Sequence, residues 1–264
     1  MVLAILQARV SSTRLPGKVL APLLGEPMLA RQIERVRRSR LVDHFLVATS
    51  LDGSDDRLEQ LCRTIDIPCF RGSLADVLDR FYRAASQYAA ADIVRLTGDC
   101  PLADPELIDQ VIAFYREGGY DYVSNAVEPT FPDGLDVEVF RYECLEQTWR
   151  EALLPSEREH VTTFIYSHPE RFRIGQVRAE NDHSSLRWTV DVAQDFRLVS
   201  EIYAALYPAN PNFSTADIFA LLDSRPELKI QNTRHARNEG LEKSRREDQT
   251  FVQSCREKHV KPLS

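Results

Sequence analysis

The sequence predicts an α/β fold: a doubly wound, mostly parallel sheet held between two layers of helices. Three observations carry that reading. Short apolar runs alternate with segments of helical apolar spacing along most of the 264 residues. The first run, Val2 to Leu6, is continuously apolar, as a buried strand requires. The stretches after the runs hold Gly, Pro, Ser and Asp, the residues that turn a chain.

Taken in order, the first strand empties into a polar loop with Gln7, Arg9, Ser11, Arg14, Pro16, Gly17 and Lys18. Pro27 stands at a first helical position, and Leu29, Ile33 and Val36 recur at helical spacing up to a basic end at Arg37, Arg38 and Arg40. Cations there suit the negative end of a helix dipole. Residues 42–49 read as a strand and 54–65 as a helix capped by Ser54. A short strand near 67–71 precedes a helix whose face is Leu74, Val77, Leu78, Phe81, Tyr82 and Ala85. Residues 93–97 form the next strand, ending in Gly98-Asp99-Cys100-Pro101, and Asp104-Pro105 caps and starts a helix.

Strands at about 121–124 and 136–140 enclose a turn-rich loop over 128–134. Helices are expected over 142–152 and 157–167, and strands near 171–178 and over 186–191. Asp195 or its neighbours open a helix through Leu206, and Ser214-Thr215 caps a last core helix to about Leu222. Beyond Gln231 the composition shifts. The final 34 residues carry eight cations and five acids with few large apolar side chains. The expected division is a core domain over 1–232 and a basic, helical or partly disordered C-terminal tail over 233–264.

Composition narrows the function. A hydrophobic content of 43% with 28% charged residues is that of a soluble globular chain, and no stretch has the apolar length of a membrane span. The first residues run straight into a strand, so a cytoplasmic location and no membrane partner are expected. Five scattered cysteines form no C-x-x-C pair, which argues against a disulfide framework or zinc site. The net charge of −7 disfavours nucleic acid as a partner. Residues 1–40, however, hold eight Lys/Arg against Glu26 and Glu34. A cationic first segment on an acidic protein suits an anionic small molecule.

The first loop decides which one. Three cations, hydroxyls and turn backbone at the carboxyl end of a first strand are the groups a polyphosphate needs. The loop is neither GxxxxGK[ST] nor GxGxxG. Ala8-Arg9, Ser11-Ser12 and Arg14-Leu15-Pro16-Gly17-Lys18 instead resemble the opening signature of the cytidylyltransferases that activate acidic sugars, the acylneuraminate family that contains the CMP-sialate and CMP-Kdo synthetases. The resemblance is strongest to the branch named for the spore-coat polysaccharide protein SpsF and extends over roughly residues 2–230. It implies a Rossmann-like sheet of the nucleotide-diphosphosugar transferase type. The implied activity is Mg²⁺-dependent transfer of CMP from CTP to a sugar acid or a phosphorylated polyol or acid, with pyrophosphate released, for surface polysaccharide or glycoconjugate precursors. It also implies a homodimer.

The same resemblance assigns residues. Lys18 and Arg14 neutralise the triphosphate, with Arg9 and Ser11 beside them, and backbone around Leu6, Gln7 and Ala8 meets the base. Asp99, in Leu96-Thr97-Gly98-Asp99, matches the family's metal carboxylate, with Thr97 and Gly98 next to the nucleotide. Asp191, in Trp188-Thr189-Val190-Asp191, matches the second metal carboxylate; Ala193-Gln194 replaces the family's Pro-Glu after it. Asp195 reads as a helix cap. The acceptor, anionic or rich in hydroxyls, falls to Asp136 and Glu138, two apart on one face of a strand, and to Arg158 and His160, for which a dimer contact is the other reading; Arg95 and Asn125 are added from their place at the ends of predicted strands, not from the resemblance. Cys100 reads as a small buried residue. Two other functions fit parts of the chain. One is a glycosyltransferase using a nucleotide-diphosphosugar, with Asp136-Val137-Glu138 as its metal motif; the other is a non-catalytic module that binds a partner through its tail.

Overall fold

A computed structural model describes residues 1–230, Arg237 and residues 239–257. The chain begins with β1 (Val2–Gln7) and a small antiparallel hairpin, β2 (Pro22–Leu23) and β3 (Glu26–Pro27), that leads into α1 (Met28–Val36). It continues through β4 (His44–Ser50), α2 (Asp56–Thr64), β5 (Cys69–Gly72), α3 (Val77–Ala85) and β6 (Asp92–Thr97). After α4 (Pro105–Gly118) come β7 (Tyr122–Ser124), β8 (Glu138–Arg141), α5 (Tyr142–Glu151), α6 (Pro155–His160) and α7 (Thr163–Tyr166). The remainder is β9 (Ile174–Gln176), α8 (Ala193–Leu206), α9 (Thr215–Ser224) and α10 (Glu239–Glu257).

Seven strands make one sheet in the order β5-β4-β1-β6-β8-β7-β9. Only β8 runs antiparallel to its neighbours β6 and β7. The alternating faces of β1 show the three layers directly. Val2, Ala4 and Leu6 join one buried cluster with α1, α2, α4 and α8, while Leu3 and Ile5 join the other with α3, α5 and α7. Helix ends follow their chemistry. Asp104 accepts the N–H groups of Glu106 at 2.8 Å and Leu107 at 3.3 Å, Pro105 opens α4, and Gly119 closes it in the left-handed region at φ 60°.

Several expectations need correction. Pro27 precedes α1 as its cap and belongs to the hairpin, rather than filling the first helical position. Ser54 caps nothing: its own N–H is held by Asp52 at 2.9 Å, and α2 starts at Asp56. The helix expected over 157–167 is two short helices, broken where Val161 takes φ 62°, a strained value for a β-branched residue. Residues 186–191 are extended but join no ladder beyond one bridge between Asp133 and Arg187. Their side chains do alternate. Trp188 and Val190 enter the core while Asp191 turns to the cleft, as in a strand, but among the described residues no neighbouring strand forms a ladder with them. The expected boundary near 232 lies outside the described residues. Helix α10 packs along α6, where the Ser156 N–H donates to Asp248 at 2.9 Å. Among the described residues no helix is long and apolar enough to cross a membrane.

Candidate active site

Two strand ends build the site. The loop after β1 is pinned where it leaves the sheet: Ala8 N–H donates to the Ala48 carbonyl at 3.1 Å, and Val10 N–H donates to the Asp55 carboxylate at 2.7 Å. Asp55 is fully buried and also receives the Ser50 N–H and hydroxyl, so it ties the loop to the end of β4. Gly17, at φ 75°, turns the loop back, and its N–H donates to the Val10 carbonyl at 2.9 Å. After β6, Gly98 N–H donates to the Gln7 carbonyl at 2.8 Å. A Cβ on Gly98 would lie 2.8 Å from the Ala8 Cβ, so only glycine lets the two loops approach this closely.

Asp99 follows. Its carbonyl accepts the Val190 N–H at 2.8 Å and the Thr189 hydroxyl at 3.2 Å, which docks the 186–191 segment on it. The result brings Lys18, Asp99 and Asp191 together from three distant parts of the chain. Lys18 Nζ donates to Asp99 at 3.3 Å, to Asp191 at 2.9 Å and to the Val190 carbonyl at 2.6 Å. Burial disfavours the Lys18 charge, but the two carboxylates outweigh it and hold its pKa above the ordinary lysine value. Burial likewise opposes the Asp99 charge, yet Lys18 and the Thr97 hydroxyl pull its pKa down to about 2.

Asp191 is fixed from both sides. Arg14 reaches Oδ1 at 2.8 Å, Arg187 donates to Oδ2 at 2.7 Å, and the Asp191 N–H donates to Asp195 at 2.8 Å. Asp195 is fully buried within the first turn of α8, takes the Val192 N–H as well, and pairs with Arg187. It therefore supports the helix start and the neighbouring carboxylate together. Arg187 also binds Asp133 at 2.7 Å.

Two pockets open on this cluster. The first, of about 500 Å³, is lined by Gln7, Ala8, Arg9, Ser12, Arg14, Lys18, Thr97, Gly98, Asp99 and Asp191. Arg80 lines it too. Burial and the nearby Arg9 lower its pKa to about 10, and its Nε has no hydrogen-bond partner among the described residues. The second, of about 610 Å³, is lined by Asp133, Asp136, Glu138, Thr162, Tyr166 and Arg187. Arg14, Arg95, Thr97, Asp99, His160, Asp191, Glu239 and Gly240 line both and form the wall between them.

Not every residue singled out from the sequence reaches the cleft. Leu6 is core and Ser11 is exposed outside both pockets. Asn125 is fully buried and spans the backbone, donating to the Leu135 carbonyl and accepting the Val137 N–H, each at 2.8 Å. Arg158 forks onto Asp76 at the cap of α3 and donates to the Trp149 carbonyl at 2.9 Å. Both serve the fold rather than an acceptor. Glu138 faces the second pocket, with its carboxylate held by Arg95, Tyr122 and Thr162. Asp136 pairs with Arg237, yet burial still pushes its pKa up to about 7. Cys100 is buried beside Asp99, and burial raises its thiol pKa far above the ordinary value. All five cysteines are free.

A model of a protein family described as cytidylyltransferase matches residues 3–218. The chain belongs to the cytidylyltransferase family. Its likeness to the spore coat polysaccharide biosynthesis protein SpsF of Bacillus subtilis is 36% identity over 239 residues, 87% of this chain and 97% of that one. A solved cytidylyltransferase from Leptospira borgpetersenii superposes with a TM-score of 0.83 at 32% identity, covering 89% of this chain and 99% of that one. A CMP-2-keto-3-deoxy-manno-octonic acid synthetase solved with CTP superposes at 0.61 with 18% identity, over 77% of this chain and 98% of its own, and shares the fold.

The cleft of this cytidylyltransferase is also built from residues that no sequence motif singled out. Arg187 lies in the 186–191 segment, four residues before Asp191, and Asp133 lies in the turn-rich loop over 128–134, so both stood beside residues already singled out. Asp55 and Arg80 carry no local signal. Their roles come from long-range packing against the first loop.

Proposed function

We propose that this cytidylyltransferase moves CMP from CTP to a sugar acid or a phosphorylated polyol or acid, in the presence of Mg²⁺, and releases pyrophosphate. The observation that carries the proposal is the convergence of Asp99 and Asp191 on one cation, the Lys18 ammonium supplied by the phosphate-type loop. Six cations, Arg9, Arg14, Lys18, Arg80, Arg95 and Lys243, face four acids, Asp99, Glu159, Asp191 and Glu239, in the pocket on that side. That balance favours a triphosphate.

The donor set fits Mg²⁺, which takes hard oxygen ligands and usually only one or two carboxylates, the rest coming from phosphate and water. Among the described residues no group of three or more His, Cys, Asp or Glu side chains gathers as a metal site. Asp99 and Asp191 would hold the ion, which when bound supplies charge neutralisation to the phosphates. Lys18 and Arg14 act on the same charge, Lys18 as a point and Arg14 as a fork. The Gln7 and Ala8 backbone lies on the base side, and Arg95, Asp136 and His160 on the acceptor side. The name of the relative SpsF, a spore coat polysaccharide biosynthesis protein, supports precursors of surface glycans as the products. A cytoplasmic homodimer completes the reading, and sedimentation velocity checks the dimer.

Thermal unfolding with Mg²⁺ and each of CTP, UTP, GTP, ATP and a UDP-sugar tests the proposal. CTP at a hundredfold its dissociation constant adds about 2.7 kcal/mol of stability. Stabilisation by the UDP-sugar alone would instead support glycosyl transfer.

A further inference from the structure

Helix α10 lies beyond residues 3–218, the part covered by the family model, yet its first two turns enter the active site. Glu239 and Gly240 stand in the wall shared by the two pockets, and Glu239 binds Arg14 at 3.1 Å. One turn on, Ser244 is 2% exposed in a helix whose other described side chains are mostly solvated. Its hydroxyl donates to Glu159 at 2.6 Å and lies 3.1 Å from His160 Nε2.

The hydroxyl has one proton, and the short, charge-assisted bond to Glu159 uses it. The Gly240 carbonyl, 3.2 Å from the same hydroxyl, is the weaker competitor for that proton, so His160 Nε2 is the donor to the Ser244 oxygen. In the neutral ring, Nδ1 is left as an acceptor with a lone pair. Burial and the Arg95 guanidinium on β6 favour that neutral ring, against Glu138 on β8 and Glu159 on α6; Glu239 and Lys243 of α10 line the same pocket. The strained Val161, next in the chain, breaks the helix directly after His160.

We propose that α10 is a working part of the active site, in which Ser244 is a positioning residue that fixes His160 as the Nε2–H tautomer, and His160 Nδ1 takes the proton of the attacking acceptor hydroxyl. This rests on the cytidylyl-transfer reading above. In the step, the acceptor oxygen forms a bond to the α-phosphorus as the bond from that phosphorus to the bridging oxygen breaks. Pyrophosphate leaves with that electron pair. The hydroxyl proton passes to Nδ1, and the imidazolium returns it to solvent.

The test uses the full-length protein labelled with ¹⁵N in histidine, with His160 assigned through His160→Gln. Ring nitrogen shifts are expected to show Nε2–H at neutral pH in the wild type and in Ser244→Thr, and a mixed or reversed tautomer in Ser244→Ala. Pyrophosphate release with an acceptor that turns over is expected to show at least a tenfold loss of kcat in Ser244→Ala, with KM for CTP within twofold and partial recovery in Ser244→Thr. Wild-type rates should fall in acid as His160 protonates, and His160→Gln should lose that acid limb. An Nδ1–H tautomer in the wild type, or wild-type kcat in Ser244→Ala, overturns the inference while leaving Mg²⁺-dependent CTP binding intact. Failure to bind CTP at all would overturn the transfer reading, and the base role of His160 with it.

Discussion

Replacing Lys18 with Met tests the centre of the site. The ammonium is shared by two carboxylates and a carbonyl, and Lys18 as a whole is 7% exposed. Holding the Asp99 pKa at about 2 instead of the ordinary 3.8 corresponds to about 2–3 kcal/mol, at roughly 1.4 kcal/mol per pKa unit. Asp191 adds less, because Arg14 and Arg187 still pair with it. Breaking one side of a buried pair costs about 3–5 kcal/mol in general, so a loss of about 3 kcal/mol is expected at pH 7. For a domain of this size that lowers Tm by about 6–12 °C.

The sign with pH follows from both partners. Asp99 is depressed when folded, so its contribution is complete above its unfolded pKa and is lost as pH falls toward about 2. Lys18 is raised when folded, so its contribution is complete below its unfolded pKa and is lost as pH rises through the higher folded value. The gap between wild type and Lys18→Met should therefore be widest from about pH 4 to 10 and narrow on both sides. Urea unfolding across that range measures it. A gap that is small at pH 7, or that widens in acid, would refute the shared-cation argument.

Gly98→Ala places a Cβ 2.8 Å from Ala8 and 3.0 Å from the Gln7 carbonyl. Parting the ends of β1 and β6 to admit it should cost about 1–3 kcal/mol, read from urea midpoints, and weaken CTP binding measured by calorimetry. Arg187→Met leaves Asp191, Asp195 and Asp133 without a guanidinium they share, and about 3–5 kcal/mol should be lost in the same unfolding assay. Arg187→Lys should recover little of it, because an ammonium cannot fork to several carboxylates at once.

The meeting of loop cations with strand-end carboxylates was legible because those residues sit in short local motifs. Gly98-Asp99 directly follows β6, and Arg14 to Lys18 belong to the loop that leaves β1 at Gln7; a strand end in a doubly wound sheet faces the crevice. The fold class was legible for the same reason: β1 shows its two buried faces in five consecutive residues. Errors fell where a local pattern had two structural outcomes. Trp188 and Val190 bury as a strand would, but whether a neighbour supplies the ladder is a property of the whole sheet. Asn125 and Arg158 were polar residues in motif-rich surroundings. One fastens β7 to the returning loop and the other fastens α6 to α3, which no spacing rule could separate from ligand contact.

The network around Asp191 has a geometric purpose that stability alone does not explain. Buried ion pairs seldom repay their desolvation, and apolar residues of similar volume would often stabilise the same space as well. Here Asp195 and Arg187 hold one face of Asp191 and its backbone N–H, while Lys18 and Arg14 hold the other face. A carboxylate so restrained loses little conformational entropy when it takes up a ligand. The same logic reaches Lys18, whose ammonium is fixed by three oxygens instead of ranging over the surface. On the proposed reading, groups that meet a triphosphate at defined positions are oriented by the fold in advance, which is how a protein with little covalent chemistry to perform lowers a barrier to nucleotidyl transfer.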